Sequence, residues 1–148
     1  MPIPNLNEQG LLPPGIYDCS VEEIGERFGT FQSTDHRPRL YEKLQAFLQQ
    51  VRSINLANAV ILNGSFVTGK ADPNDIDLIL VLPSSHDLRA DLAPMAYNVL
   101  SRRRVSRRYG FDVLVAREST REYTEYTTDF QRVRGQPHLQ KGMLRIRL

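Results

Sequence analysis

Two apolar runs stand too close together in this chain for the segment between them to form a crossover helix. Ala59-Val60-Ile61-Leu62 and Asp77-Leu78-Ile79-Leu80-Val81-Leu82 are short, branched and apolar, so both read as buried strands. Between them lie Gly69, Asp72, Pro73 and Asn74, residues that favour turns. Parallel neighbours need a long crossover, usually helical, so these two strands argue for a mixed sheet rather than a doubly wound parallel one. The expectation is an α/β (α+β) fold: a mixed sheet of about four strands with flanking helices.

The remaining elements follow from periodicity and punctuation. Residues 1–17 hold Pro2, Pro4, Pro13, Pro14, Gly10 and Gly15 and show neither helix nor strand pattern, so they read as an extended arm before a single domain over 18–148. Ser20-Val21-Glu22-Glu23 is a capping box that opens a short helix to about Phe28, ended by Gly29. Leu40, Leu44, Phe47, Leu48 and Val51 form one face of a helix over about 38–53. Leu88, Leu92, Met95, Ala96, Val99 and Leu100 predict a long helix from about Ser85 or His86 to Arg104 or beyond, capped by Ser84 or Ser85. Phe111 to Val115 is a third strand, and Tyr123, Tyr126 and Phe130 mark a short helix, its aromatics reading as core packing. The alternation in Met143-Leu144-Arg145-Ile146-Arg147-Leu148 predicts a half-exposed edge strand.

Length and charge narrow the class. A chain of 148 residues suits one domain with a real core. Its net charge of +2 does not by itself point to a nucleic-acid partner. No stretch has the ~18 apolar residues of a membrane span, and the start lacks a signal-peptide pattern. The lone Cys19 excludes an intrachain disulfide. The expectation is a soluble, cytoplasmic protein with no membrane partner.

Chemistry concentrates in three places. Asp75 and Asp77 are two apart, so in an extended chain they project side by side, where each carboxylate favours a cation. Taken alone the pair also fits a loop aspartate followed by a strand-capping one. Gly64-Ser65 ends the first strand; glycine permits close approach, and a hydroxyl with free N–H groups can cradle phosphate. Asp112 stands between Phe111 and Val113, and a buried carboxylate there needs a cation or donors, although taken alone it also fits a strand-edge aspartate facing water. If the third strand lies beside the second, the three carboxylates converge. Magnesium takes such hard oxygen ligands.

Together Gly64-Ser65-Phe66-Val67-Thr68-Gly69-Lys70-Ala71-Asp72-Pro73-Asn74-Asp75-Ile76-Asp77-Leu78 and Phe111-Asp112-Val113 resemble the signature of the DNA polymerase beta-like nucleotidyltransferase superfamily. The likeness is to its small stand-alone bacterial members, the minimal nucleotidyltransferase group. Leu12-Pro13-Pro14-Gly15 and Gly-Ser-Phe-Val-Thr are similar to those of a family of short proteins within that group. The resemblance implies a nucleotidyltransferase-like fold and transfer of a nucleoside monophosphate from a nucleoside triphosphate to a hydroxyl, with Asp75, Asp77 and Asp112 as catalytic and metal-binding residues. It implies Mg2+ or Mn2+ as cofactor and phosphate contacts from Gly64 and Ser65. Lys70 beside them reads first as a solvated loop lysine and second as a further phosphate contact. The acceptor is left open as protein, RNA or a small molecule. The alternative is a non-catalytic module on the same scaffold, binding nucleotide such as ATP or serving as an antitoxin-like partner in a toxin–antitoxin pair. Asn74 stands where such proteins often have Ser, and the large helical domain of bigger relatives is not in this sequence.

Gly64 to Lys70 also matches most of a P-loop, but Ala71 replaces the required Ser or Thr and a strand follows instead of a helix. Ile76 at a ligand position excludes an EF-hand. His36, His86 and His138 lack metal-ligand spacing. Ser101 to Arg108 holds five arginines; they read either as cations closing the long helix or as phosphate contacts. A second basic set comprises Arg132, Arg134, Lys141, Arg145 and Arg147.

Overall fold

A computed structural model describes residues 3–30, 34–87, 93–133 and 135–148. The chain runs β1 (Ile16–Asp18), α1 (Val21–Phe28), α2 (His36–Ile54), β2 (Ala59–Asn63), β3 (Asp77–Leu82), α3 (Tyr97–Leu100), α4 (Arg102–Tyr109), β4 (Asp112–Arg117), α5 (Arg121–Phe130), β5 (Arg132–Val133), β6 (Gln136–Gln140) and β7 (Met143–Arg147). The fold is α+β. Its sheet is mixed, in the order β1-β7-β2-β3-β4, with β5 and β6 forming a separate hairpin. β2 pairs antiparallel with β3, as their spacing predicts, and β3 pairs parallel with β4 across the α3–α4 connection.

The sheet is covered on both faces. Val60, Leu62, Leu78, Leu80, Val113, Leu144 and Ile146 pack against α1, α2 and α4. Ala59, Ile61, Ile79, Val81, Ala116 and Met143 pack against Tyr123, Tyr126 and Phe130 of α5, so those aromatics are core as expected. Every residue of β2 is buried. Among the described residues no helix is long and apolar enough to cross a membrane. Burial pushes the Cys19 thiol up to about 12, which makes it an inert packing residue.

The helix starting at Ser20 has both reciprocal hydrogen bonds of the capping box, Ser20 Oγ accepting from Glu23 N–H and Glu23 Oε1 from Ser20 N–H. Three other expectations are corrected. The long helix over 85–104 is broken: Ala93 is extended before Pro94, a 3-10 turn follows, and Ser101 leaves helical geometry to cap α4 anew. Residues 88–92 of that reading lie outside the described residues. Arg102, Arg103 and Arg104 therefore open a helix, and only Arg107 and Arg108 stand in its last turn. The C-terminal strand is not an edge. β7 lies between β1 and β2, and its alternation reflects an apolar face under α1 and α2 and a charged face carrying Arg145 and Arg147.

The third correction concerns the arm, whose last residues form β1, parallel to β7. Local propensity is weak there, and tertiary pairing decides. Leu12 is buried, Gly142 N–H donates to Leu12 O at 2.8 Å, and Met143 N–H donates to Gly15 O at 2.9 Å. Asp18 opposes Arg145 in register and accepts from its Nε at 2.5 Å, with Arg147 at 3.4 Å.

Gly142 has no room for a side chain: an added Cβ would stand 2.1 Å from Pro13 O. Gly142→Ala is expected to cost roughly 1–3 kcal/mol, as overpacking does, read as a lower urea midpoint at constant slope; an unchanged midpoint removes the arm from the stability of the fold. The hydrogen bond from Arg145, aided by its charge and that of Arg147, holds the Asp18 carboxyl below the usual carboxylate range. That contribution is present above the unfolded-state value of about 3.9 and is lost as pH falls through the folded value. Asp18→Asn is expected to flatten the acid limb of a stability–pH curve below about pH 4; an identical limb in both proteins rules the pair out as its source.

Candidate functional site

The alternation of β3 and β4 decides where the carboxylates go. Ile76 and Leu78 are fully buried on the face covered by α2 and α4, as are Phe111 and Val113. Phe111 is anchored there against Phe47 and Tyr109, with ring centroids 6.1 and 5.9 Å apart. Asp77 and Asp112 must then point to the opposite face. They are direct partners in the parallel ladder, on strands about 4.8 Å apart.

Asp75, Asp77 and Asp112 line one cleft of about 950 Å³, together with Gly64, Ser65 and Lys70. All six residues singled out from sequence thus share one space. Its far wall is the end of α5 and the β5–β6 hairpin, supplying Asp129, Phe130, Arg132, Val133, Gln136 and Lys141. Asn63 ties that wall to the sheet by donating to Phe130 O at 2.6 Å.

Gly64 takes a left-handed φ of 93°, and an added Cβ would meet Asp75 O at 3.0 Å and Asp77 N at 3.1 Å. Glycine here serves close approach between the loop and the carboxylate segment. Ser65 follows in a short 3-10 turn and becomes a hub. Its N–H donates to Asp75 Oδ1 at 2.9 Å, and its hydroxyl donates to the same oxygen and accepts from the N–H of Asn74 at 3.2 Å. Desolvation in the cleft would raise the Asp75 pKa. The Ser65 hydroxyl and N–H, then the fields of Lys141 and Lys70, outweigh it and hold the carboxyl below its usual range.

The expected cradle of free N–H groups is absent in this conformation. Ser65 N–H is taken by Asp75, Phe66 N–H by Asp75 O, Val67 N–H by Gly64 O, Thr68 N–H by Ser65 O, Gly69 N–H by Gly10 O and Lys70 N–H by Thr68 Oγ1. The Asp75 carboxylate occupies the anion position at the loop's start. Positive charge in the cleft comes from the side chains of Lys70, Arg132 and Lys141.

Asp112 is not buried as the apolar run suggests: it stands half exposed on the edge strand β4, where it meets a cation. Arg102 at the start of α4 grips it with both arms, Nε at 2.5 Å from Oδ1 and Nη2 at 2.8 Å from Oδ2. Both side chains are exposed, 65% and 47%, and an exposed pair contributes at most about 1 kcal/mol. The carboxylates lining the cleft, those of Asp75, Asp77, Asp112 and Asp129, and the hydroxyls of Ser65 and Thr68 are hard oxygens of the kind Mg2+ or Mn2+ takes. With Asp75 turned to Ser65 and Asp112 to Arg102, no group of three or more His, Cys, Asp or Glu among the described residues is gathered closely enough to hold a metal.

The two basic sets are divided among several places, with Arg102 holding Asp112 at the edge of the cleft. Arg132 and Lys141 line the cleft, Arg145 and Arg147 hold Asp18, and Arg103, Arg104 and Arg107 line a separate groove. Arg134 lies outside the described residues.

One supporting residue is not evident from sequence. Arg37, in the first turn of α2, is buried and donates to four carbonyls: Phe28 O at 3.1 Å, Phe66 O and Thr68 O at 2.7 Å, and Lys70 O at 2.5 Å. Its guanidinium also lies 5.8 Å from the Phe28 and Phe66 ring centroids. The available sequence signal is slight, an arginine beside the helix-opening Pro38.

The fold and cleft define an α+β protein with an acidic site at the mouth of a mixed sheet. The chain belongs to a family of unknown function (DUF6932), which matches residues 4–147. No curated protein and no solved structure matches it.

Arg37→Met would leave three carbonyls of the loop and one at the end of α1 without their donor, at an expected cost of at least about 3 kcal/mol. Arg37→Lys should recover only part, because an ammonium lacks the planar fork. Urea unfolding of the three proteins checks this; a loss under about 1 kcal/mol for Arg37→Met would mean the loop does not depend on it.

Proposed function

We propose that the protein is a metal-dependent nucleotidyltransferase that moves a nucleoside monophosphate from a nucleoside triphosphate to a hydroxyl acceptor. The observation that carries this reading is the register pairing of Asp77 with Asp112, in a cleft shared with Asp75, Gly64 and Ser65. The motif resemblance points the same way. Bound Mg2+ or Mn2+ would neutralise charge on the triphosphate and on the attacking and leaving oxygens.

In this reading Asp75 and Asp77 would hold the cation, and Asp112, once released from Arg102, would complete the set and accept the hydroxyl proton. Lys70 and, once released from Asp75, Ser65 would hold the outer phosphates, with Lys141 and Arg132 as further positive charge. The acceptor oxygen forms a bond to the α-phosphorus, the bond to the bridging oxygen breaks, and pyrophosphate leaves. The protein's part is positioning and electrostatics. A lone cysteine and a nucleotide substrate suit the cytoplasm.

A second reading, a nucleotide-binding or antitoxin-like module without transfer, draws on Arg102 occupying Asp112. Labelled nucleotide transfer separates the two. Wild type and Asp77→Ala are incubated with each triphosphate and Mg2+ or Mn2+, alone and with cell extract. Transfer is expected from wild type and a loss of at least about a hundredfold from the variant. Equal labelling by both proteins, or tight triphosphate binding with no transfer to any acceptor, would sink the enzyme.

A further inference from the structure

The densest charge on the molecule lies outside the carboxylate cleft, on α4. Ser101 to Arg108 carries five arginines and no acid, in a chain whose net charge is only +2, so the remainder is net acidic. All five are exposed, and three stand in the first turn of the helix with no acidic residue there. Cations at a helix N-terminus oppose the dipole, and like charges one turn apart repel. The chain relieves little of this. Arg102 takes Asp112, Arg104 reaches Asn98 Oδ1 at 3.4 Å, and Arg108 lies over the Tyr109 ring. Arg103 and Arg107 form no ion pair or hydrogen bond among the described residues. Arg103, Arg104 and Arg107 line a groove of about 520 Å³ with Ser101 and Tyr97. Tyr97 is 42% exposed, and its ring already has the Arg104 guanidinium 5.8 Å from its centroid.

We infer that the groove between Tyr97 and the arginines of α4 binds single-stranded nucleic acid. Guanidinium forks match phosphate oxygens bidentately, and an exposed aromatic beside a basic groove is a stacking platform for an unpaired base. Arg103 and Arg107 are one turn apart, about 5–6 Å, and present unneutralised charge to a backbone. α4 buries Val105 and Tyr109 in the core and turns its arginines outward beside the exposed Tyr97 ring, and a stacking ring favours an unpaired base over a closed duplex. The groove shares its helix with Arg102, so a strand seated there would run toward Asp112. Binding itself does not depend on transfer chemistry and is measured without nucleotide or metal.

The test is fluorescence anisotropy with labelled oligo(U) and oligo(dT) of about 12 nucleotides, over a salt series. Three proteins are compared: wild type, R103A/R104A/R107A, and R39A/K43A/R52A, which removes the same charge from the exposed side of α2. Circular dichroism verifies that each is folded. Wild type and the α2 variant should bind alike. The α4 variant should bind at least tenfold more weakly, with a salt slope smaller by about 2, at roughly 0.7 per phosphate contact on single strands. Equal loss in both variants, or polyglutamate or duplex DNA bound as tightly as either oligonucleotide, would overturn the inference. So would no binding by wild type at low salt.

Discussion

The site depends on where four apolar side chains go. Ile76, Leu78, Phe111 and Val113 are buried on the face that α2 and α4 cover, and strand alternation throws Asp77 and Asp112 to the other face. Burying each apolar side chain gains about 1.5–3 kcal/mol. Slipping either strand by one residue would expose that pair and drive a carboxylate into the packed layer, at a cost of several kcal/mol per charge. Both terms favour the same register, so the packing that stabilises the sheet also fixes the acidic cleft. The aromatic contacts of Phe111 with Phe47 and Tyr109 add to this at the start of β4.

The loop that faces those carboxylates is shaped by a different force. Residues 64–70 contain no regular strand or α-helix, so their carbonyls need donors from elsewhere. Arg37 supplies three of the four it serves to this loop and the fourth to the end of α1. The N–H groups are satisfied separately, by Asp75, by the loop itself and by Gly10 of the N-terminal arm. Helix, arm and carboxylate segment therefore converge on one short turn, and Ser65 sits at the meeting point.

Much of this was legible in the residues. The β2–β3 spacing predicts an antiparallel pair in a mixed sheet, and the capping box at Ser20 predicts the start of α1. Asp75, Asp77 and Asp112 were recognisable because carboxylates interrupt apolar runs, where charge has to be accounted for. The arm was not readable as β1, because pairing with β7 across more than a hundred residues leaves no local signature. β7 looked like an edge because apolar–charged alternation reports a single covered face and says nothing of neighbours. Leu88 to Leu100 carries helical periodicity, but Pro94 and Ser101 interrupt it, and the break puts Arg102 at a helix start within reach of Asp112. Arg37 was invisible for a physical reason: its four acceptors are backbone carbonyls, which no side-chain pattern encodes.

Arg102 links the two charge systems of the molecule. One is the acidic cleft, the other the basic surface of α4, and this ion pair is their contact. It is bidentate and short, yet both side chains are solvated, so water screens it and the pair contributes little. A divalent cation approaching Asp77 and Asp112 would carry twice the charge and interact with two carboxylates at once, so its attraction exceeds that of a single exposed guanidinium. The guanidinium that leaves would join Arg103 and Arg104 at the helix start, increasing the positive charge there as the cleft loses its negative charge. On the two proposals made above, filling the cleft and attracting an anion to α4 would be coupled through this one side chain, and linkage would make that coupling favourable in both directions.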